Sequence, residues 1–214
     1  MKLYSTVRQG ADAEQIIEKS RFIAYVSPAE TREEAEDFIA SVRKKHKDAT
    51  HNVPAMVLGD KMQIQWGSDD GEPQGTSGAP IVQMLVAQGI TNVVIVVTRY
   101  FGGIKLGTGG LVRAYTSSAK LGLEAAGICD VCKRKVMTYA LDYTYLAKLQ
   151  NMEGQGADEV GEKLFAIENL AYTDVVQAEL SCIPERSDEL QGLIANLTGG
   201  KGVLLSEEER IVKI

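Results

Sequence analysis

Apolar and polar positions along this chain alternate between a strand period and a helix period. In "KSRFIAYVSPA" the apolar residues crowd a short run that ends at Pro28, which predicts a strand. Thr31 follows, with Glu34 placed to complete a capping box, and Ala35, Phe38, Ile39 and Val42 then recur at helical spacing. Acid in the first turn of that helix and "RKKHK" at its end both suit the helix dipole, so these lysines need no ligand to explain them. Two strands are predicted next, "HNVPAMVLG" and "KMQIQWG", joined by a hairpin turn at Gly59-Asp60. "APIVQMLVAQG" reads as a helix with Pro80 in its first turn and Gly89 at its end. The unbroken β-branched run "NVVIVV" predicts a strand buried on both faces. The glycines at 102, 103, 107, 109 and 110 then form a loop, and a helix runs from about Leu111 to Gly127.

From residue 130 the alternation becomes more compact. Strand "KVMTYALDY", a helix around "YLAKLQNM", strands "KLFAIEN" and "YTDVVQAELSCI", helix "SDELQGLIANLTGG" and a last strand ending in "RIVKI" give the order βαββαβ. Val176, Ala178, Leu180 and Cys182 alternate with polar residues as in a half-buried antiparallel strand. Ser187 is placed to cap the second helix, whose Leu190, Leu193, Ile194 and Leu197 share a face. The order predicts a ferredoxin-like domain. The fold class is α+β, with an N-terminal domain over residues 1–128 and the ferredoxin-like domain over 129–214.

With 214 residues, 44% of them hydrophobic, the chain can bury one large core or two modest ones. No apolar run approaches the ~20 residues that cross a bilayer, and the N-terminal stretch lacks a secretory signal, so a cytoplasmic protein with no membrane partner is expected. Three cysteines, Cys129, Cys132 and Cys182, are too few for a disulfide framework. The Cys129-Asp-Val-Cys132 spacing has no second pair, and strand alternation explains it without zinc or redox chemistry. Of the net charge of -6, none falls on residues 1–129, which hold fourteen basic and fourteen acidic side chains; residues 130–214 hold nine and fifteen. Polyanion binding depends on cations that displace counterions, so a nucleic-acid surface is expected in the first part.

Two strand-to-helix junctions carry the polar chemistry. "SDDGEPQGTSGAP", residues 68–80, brings together Asp69, Asp70 and Glu72, which either bond their own backbone as a turn or attract a cation such as Mg²⁺. Gly75 and Thr76 precede one helix start, and Gly107, Thr108 and Gly109 the next. Their N–H groups are placed to hold an anion, or their glycines simply let strand and helix approach. Neither loop is a P-loop, because no Lys-Ser/Thr follows at the required spacing. Arg99, Lys105 and Arg113, beside Tyr100 and Phe101, suit phosphate contact and base stacking, while the aromatics also suit a core and the arginines could answer the acids. His51, at a strand start, is either structural or an acid-base partner of the carboxylates.

"SDDGEPQGTSGAP", "VVTRYFGGIKLGTGGLVRAY" and "KSRFIAYV" together resemble the YigZ/IMPACT family, strongly over residues 1–128. The following βαββαβ segment is similar to the C-terminal domain of the bacterial members, and the two-domain form looks bacterial. Met56 stands where an aromatic is common, and Ser77 where alanine is. The resemblance implies a first domain of the ribosomal protein domain 2-like fold, and a second similar to the last domain of elongation factor G. Eukaryotic members regulate translation by binding an activator of an initiation-factor kinase, a pathway that bacteria lack. The expectation is a translation-linked regulatory protein that binds RNA or the ribosome through the glycine-rich polar site. The rivals are a metal-assisted hydrolase or phosphotransferase acting on a small phosphorylated substrate, and a protein-binding adaptor that docks through its acidic domain.

Overall fold

The computed structural model describes residues 2–155 and 163–214. The chain divides into two compact units, Leu3–Val131 with Lys213–Ile214, and Cys132–Val212 with Lys2. The division falls inside a strand, after Val131, where the sequence pattern places the boundary after residue 128.

In the first unit the elements run β1 (Lys2–Val7), β2 (Ala11–Ile17), β3 (Ser20–Pro28), α1 (Arg32–Lys45), β4 (His51–Leu58), β5 (Ile64–Gly67), α2 (Gly78–Ala87), β6 (Val93–Tyr100) and α3 (Gly107–Ala126). One antiparallel sheet has the order β2-β3-β6-β4-β5. Helix α3 lies across β2 and β3, and α2 across β4 and β5. Their buried faces meet Phe22, Ala24, Val53, Ala55, Ile95 and Val97 of the sheet. On the opposite face α1 buries Ala35, Ile39 and Val42 against Met56, Leu58, Val94 and Val96. Strand β6 is therefore covered on both faces, as its unbroken apolar run predicts, and Val93 to Val97 are wholly buried.

The capping box at the start of α1 is complete: the Thr31 side chain accepts from the Glu34 N–H, and the Glu34 carboxylate accepts from the Thr31 N–H at 3.3 Å. Met56 sits in the core under α1, so no stacking role exists there.

Several boundaries differ from the pattern. Strands β1 and β2 went unpredicted. The β2–β3 hairpin turns through Glu18 and Lys19, both with positive φ (44° and 63°), without the Asn-Gly or Asp-Gly that signals such a turn. Strand β5 begins at Ile64, so residues 59–63 form a longer loop than the expected two-residue turn, with positive φ at Gly59 and Met62. Helix α3 begins at Gly107, so Gly107, Gly109 and Gly110 make its first turn, while Gly102 and Gly103 lie in the loop as expected.

The second unit contains most of β7 (Ile128–Leu141), then α4 (Tyr143–Gln155), β8 (Phe165–Tyr172), β9 (Val176–Cys182), α5 (Ser187–Thr198) and β10 (Val203–Lys213). The antiparallel pairs β7–β9 and β9–β8, with β10 on β7, give the ferredoxin-like strand order. Met137, Leu180, Cys182, Leu190 and Ile194 fill its core. Ser187 is the first helical residue of α5 rather than its cap, because a 3₁₀ turn, Pro184–Arg186, precedes it and no side chain caps the start. Cys129 and Cys132 are buried free thiols on β7. Among the described residues no helix is long and apolar enough to cross a membrane.

Candidate functional site

A cavity of about 470 Å³ opens in the first unit where the ends of β4 and β6 meet the first turn of α3. Thr50, His51, Glu72, Arg99, Phe101 and Lys105 line it together with Gly107 and Thr108. The antiparallel register sets His51 of β4 and Phe22 of β3 opposite Arg99 of β6.

Arg99 is almost wholly buried. Its Nη1 donates to Glu72 Oε1 at 2.6 Å, its Nη2 to Ser20 Oγ at 3.3 Å, and its guanidinium stands 5.4 Å and 5.3 Å from the ring centres of Phe22 and Phe101. Its Nε is buried without a hydrogen-bond partner. A buried donor left without an acceptor costs about 1–3 kcal/mol, so this N–H is suited to a ligand acceptor. Tyr115 also donates to Glu72 Oε1, at 2.7 Å. Burial first, and then the bond to Glu72, hold the Tyr115 phenol well above its ordinary pKa, so it remains a donor.

The acidic stretch is organised as three separate anchors. Asp69 Oδ1 accepts from the N–H of Ser77 and Gly78, both at 3.0 Å, and from Ser77 Oγ at 2.7 Å; Oδ2 accepts from the Gly75 N–H at 2.7 Å. Burial pushes Asp69 up, but the bonds from Gly75, Ser77 and Gly78 outweigh it and hold the carboxyl below its ordinary pKa. Asp69 is thus the anion at the N-terminus of α2. Asp70 Oδ2 accepts from the Asn52 N–H at 2.6 Å, and Oδ1 pairs with Arg43 at 3.0 Å. Only Glu72 reaches the cavity. The Mg²⁺ ligand set expected from Asp69, Asp70 and Glu72 does not converge, and among the described residues no group of three or more His, Cys, Asp or Glu is placed to hold a metal ion.

The two glycine starts differ in the same way. At α2 the Gly75 N–H belongs to Asp69 and the Thr76 hydroxyl donates to the Pro73 carbonyl at 2.6 Å, so that loop is closed on itself. At α3 no side chain caps the helix and no acid stands in the first turn. The N–H groups of Gly107, Thr108 and Gly109 have no partner within the helix, and Gly107 and Thr108 face the cavity. The chain enters this turn with φ +70° at Gly107, a conformation that favours glycine. Gly102 is required for a different reason: a Cβ there would lie 2.0 Å from the Lys19 backbone of the β2–β3 turn.

His51 donates its Nδ1–H to the Asp70 carbonyl at 2.7 Å, so its neutral form presents the Nε2 lone pair 3.8 Å from Glu72 Oε1. Phe101 is exposed at the rim, and its N–H bonds to Thr50 Oγ1 at 3.0 Å. Tyr100, expected beside it, lies on the other face of the sheet, because adjacent strand residues point opposite ways. Its hydroxyl meets His46 Nδ1 at 2.8 Å, and Tyr25 meets His46 Nε2 at 2.7 Å. Arg113 is exposed and lines a neighbouring cleft with Lys105. The acids and bases meet at the cavity through a single pair, Glu72 and Arg99. Thr50, Ser20 and Tyr115 complete the site without having been expected there. Tyr115 reads in the sequence as one more position on a helical stripe, and the two hydroxyl residues carry no motif.

The Impact N-terminal domain model matches residues 18–123, from the end of β2 into α3. The chain is 39% identical to "IMPACT family member YvyE" of Bacillus subtilis (strain 168), over 92% of this chain and 88% of that protein. It is 35% identical to "IMPACT family member YigZ" of Escherichia coli (strain K12), over 90% and 92% of the two. A more distant match, "Protein IMPACT" of Mus musculus, is 34% identical over 42% of this chain and 29% of that protein. A crystal structure described as that of a hypothetical protein is similar over 98% of this chain and 100% of its own, with a TM-score of 0.58 and 31% identity. Domain match and near full-length identity agree: the chain belongs to the IMPACT family.

Proposed function

We propose that this chain is a translation-linked regulatory protein whose first unit binds exposed RNA, including RNA on the ribosome, through the cavity at the start of α3. The observation that carries the reading is the uncapped, glycine-rich start of α3 opening beside Arg99, a buried guanidinium whose Nε–H has no partner. Helix N–H groups and a buried guanidinium suit a phosphate oxygen, Lys105 adds a cation at the rim, and exposed Phe101 offers a stacking face. The distant match to the eukaryotic Protein IMPACT supports a regulatory role.

Co-sedimentation with ribosomes across a salt series tests this reading, comparing wild type with Lys105→Glu/Arg113→Glu, two exposed positions whose change spares the core. Salt-sensitive binding that disappears in the variant is expected. Binding unchanged in a folded variant would contradict it.

His51 favours a second reading, hydrolysis or phosphoryl transfer on a small phosphorylated substrate. The Asp70 carbonyl fixes its tautomer and leaves Nε2 as a proton acceptor at the cavity. Turnover across a phosphoester panel that vanishes in His51→Gln would favour catalysis over binding alone. The carboxylate donors do not fit a metal-assisted version, since Asp69 serves the start of α2 and Asp70 the Asn52 N–H and Arg43.

A further inference from the structure

We infer that the cavity and its neighbour hold two consecutive phosphates of one RNA strand, the first at the opening turn of α3 and the second at Arg113, with Lys105 between them. The inference rests on the RNA reading above and narrows its ligand to a strand rather than a mononucleotide.

A second cleft of about 340 Å³ lies beside the cavity, lined by Glu18, Ile104, Lys105, Leu106 and Arg113 among others, and the two share Lys105 and Leu106. Arg113 belongs to a later turn of α3, yet a Cβ added at Gly109 would lie 3.6 Å from its Nη1. Long helical side chains lean toward the N-terminus, and here the guanidinium lies back over the first turn. That is the positive end of the helix dipole, where a cation is unfavourable without an anion beside it.

Among the described residues neither Arg113 nor Lys105 has an ion-pair partner, and Glu18 bonds to neither. The helix end, Lys105, Arg113 and Arg99 therefore share the two clefts with two carboxylates, Glu72, which is already bonded to Arg99 and Tyr115, and Glu18, which is bonded to neither Lys105 nor Arg113. Gly107 and Thr108 line one cleft and Arg113 the other, so a single phosphodiester fills one of them, whereas successive phosphates of a strand reach both across the shared Lys105. Between the two positions the shared surface includes Leu106, and Ile104 adjoins it in the second cleft, which suits a sugar or base edge.

Calorimetric titration of the full chain with uridine 5′-monophosphate and with single-stranded hexauridylate tests the inference, in wild type, Arg113→Gln and Lys105→Gln. The monophosphate is a dianion on one phosphorus, so it separates total charge from two-site spacing. Hexauridylate is expected to bind at least about tenfold more tightly than the monophosphate. Arg113→Gln is expected to weaken the hexamer about tenfold, the loss of one charged hydrogen bond. It should lower the slope of log affinity against log salt by about 0.7 and leave the monophosphate unchanged. Lys105→Gln is expected to weaken both. Equal affinity for the two ligands, or hexamer binding indifferent to Arg113→Gln, would overturn the two-phosphate inference and leave the RNA reading standing. No hexamer binding by the wild type would overturn both.

Discussion

Glu72 and Arg99 meet at 2.6 Å with both side chains almost wholly buried, one from the acidic loop and the other from the end of β6. The same carboxylate oxygen accepts from Tyr115, so a single atom ties the loop, the central strand and α3 together. Removing one partner of a buried pair leaves the other charge uncompensated and costs about 3–5 kcal/mol. Glu72→Ala is therefore expected to lower the unfolding free energy, read from urea titration, by that amount, and Glu72→Gln, which keeps an acceptor, by less.

Asp69 closes the loop on α2, and its acid-side behaviour follows. Its folded carboxyl lies below its ordinary pKa, so its contribution to stability is present above the unfolded value of about 3.9 and is lost as pH falls through the folded one. Asp69→Asn is expected to be less stable at neutral pH and to show a flatter loss of stability below about pH 4, measured by urea unfolding over a pH series. An unaltered acid slope would remove Asp69 from that role.

His46 carries a second pH signature, between Tyr25 and Tyr100. Burial first, and then the charges of Lys45 and Arg21, hold its imidazole below the ordinary value. The unfolded chain then takes up the proton more readily, so this contribution is complete above about pH 6.5 and declines as pH falls from there. Thermal midpoints between pH 7.5 and 5 should fall in wild type and fall less in His46→Gln.

Gly102 sits against the Lys19 backbone, closer than any side chain allows. Gly102→Ala is expected to cost about 1–3 kcal/mol by forcing the two loops apart. Because Gly102 leads into the cavity rim at Phe101, RNA affinity should fall with it. Chemical denaturation and the titrations above read both effects.

Much of the architecture was legible because strong periodic signals agree with burial. The run at β6, the capping box of α1 and the βαββαβ order needed no tertiary information. Strands β1 and β2 were not legible. The alternation of β2 carries Asp12, Glu14 and Gln15 on a half-covered strand, and its turn uses Glu18 and Lys19 where glycine or asparagine would signal a hairpin. At the site, sequence proximity misled in two places. Tyr100 follows Arg99 but faces α1, and Asp69 and Asp70 precede Glu72 but turn away from the cavity, Asp69 to the start of α2 and Asp70 to Asn52 and Arg43. Meeting of Glu72 with Arg99 and Tyr115 depends on long-range pairing that no local pattern encodes.

The RNA reading stands or falls on the open start of α3 taking a phosphate. Backbone amide chemical shifts of the labelled full chain, followed while hexauridylate is added, test it most directly. The largest changes are expected on Gly107, Thr108 and Gly109, with protection of the Arg99 Nε–H from solvent exchange. RNA binding that moves amides of the second unit and leaves those three unmoved would contradict it.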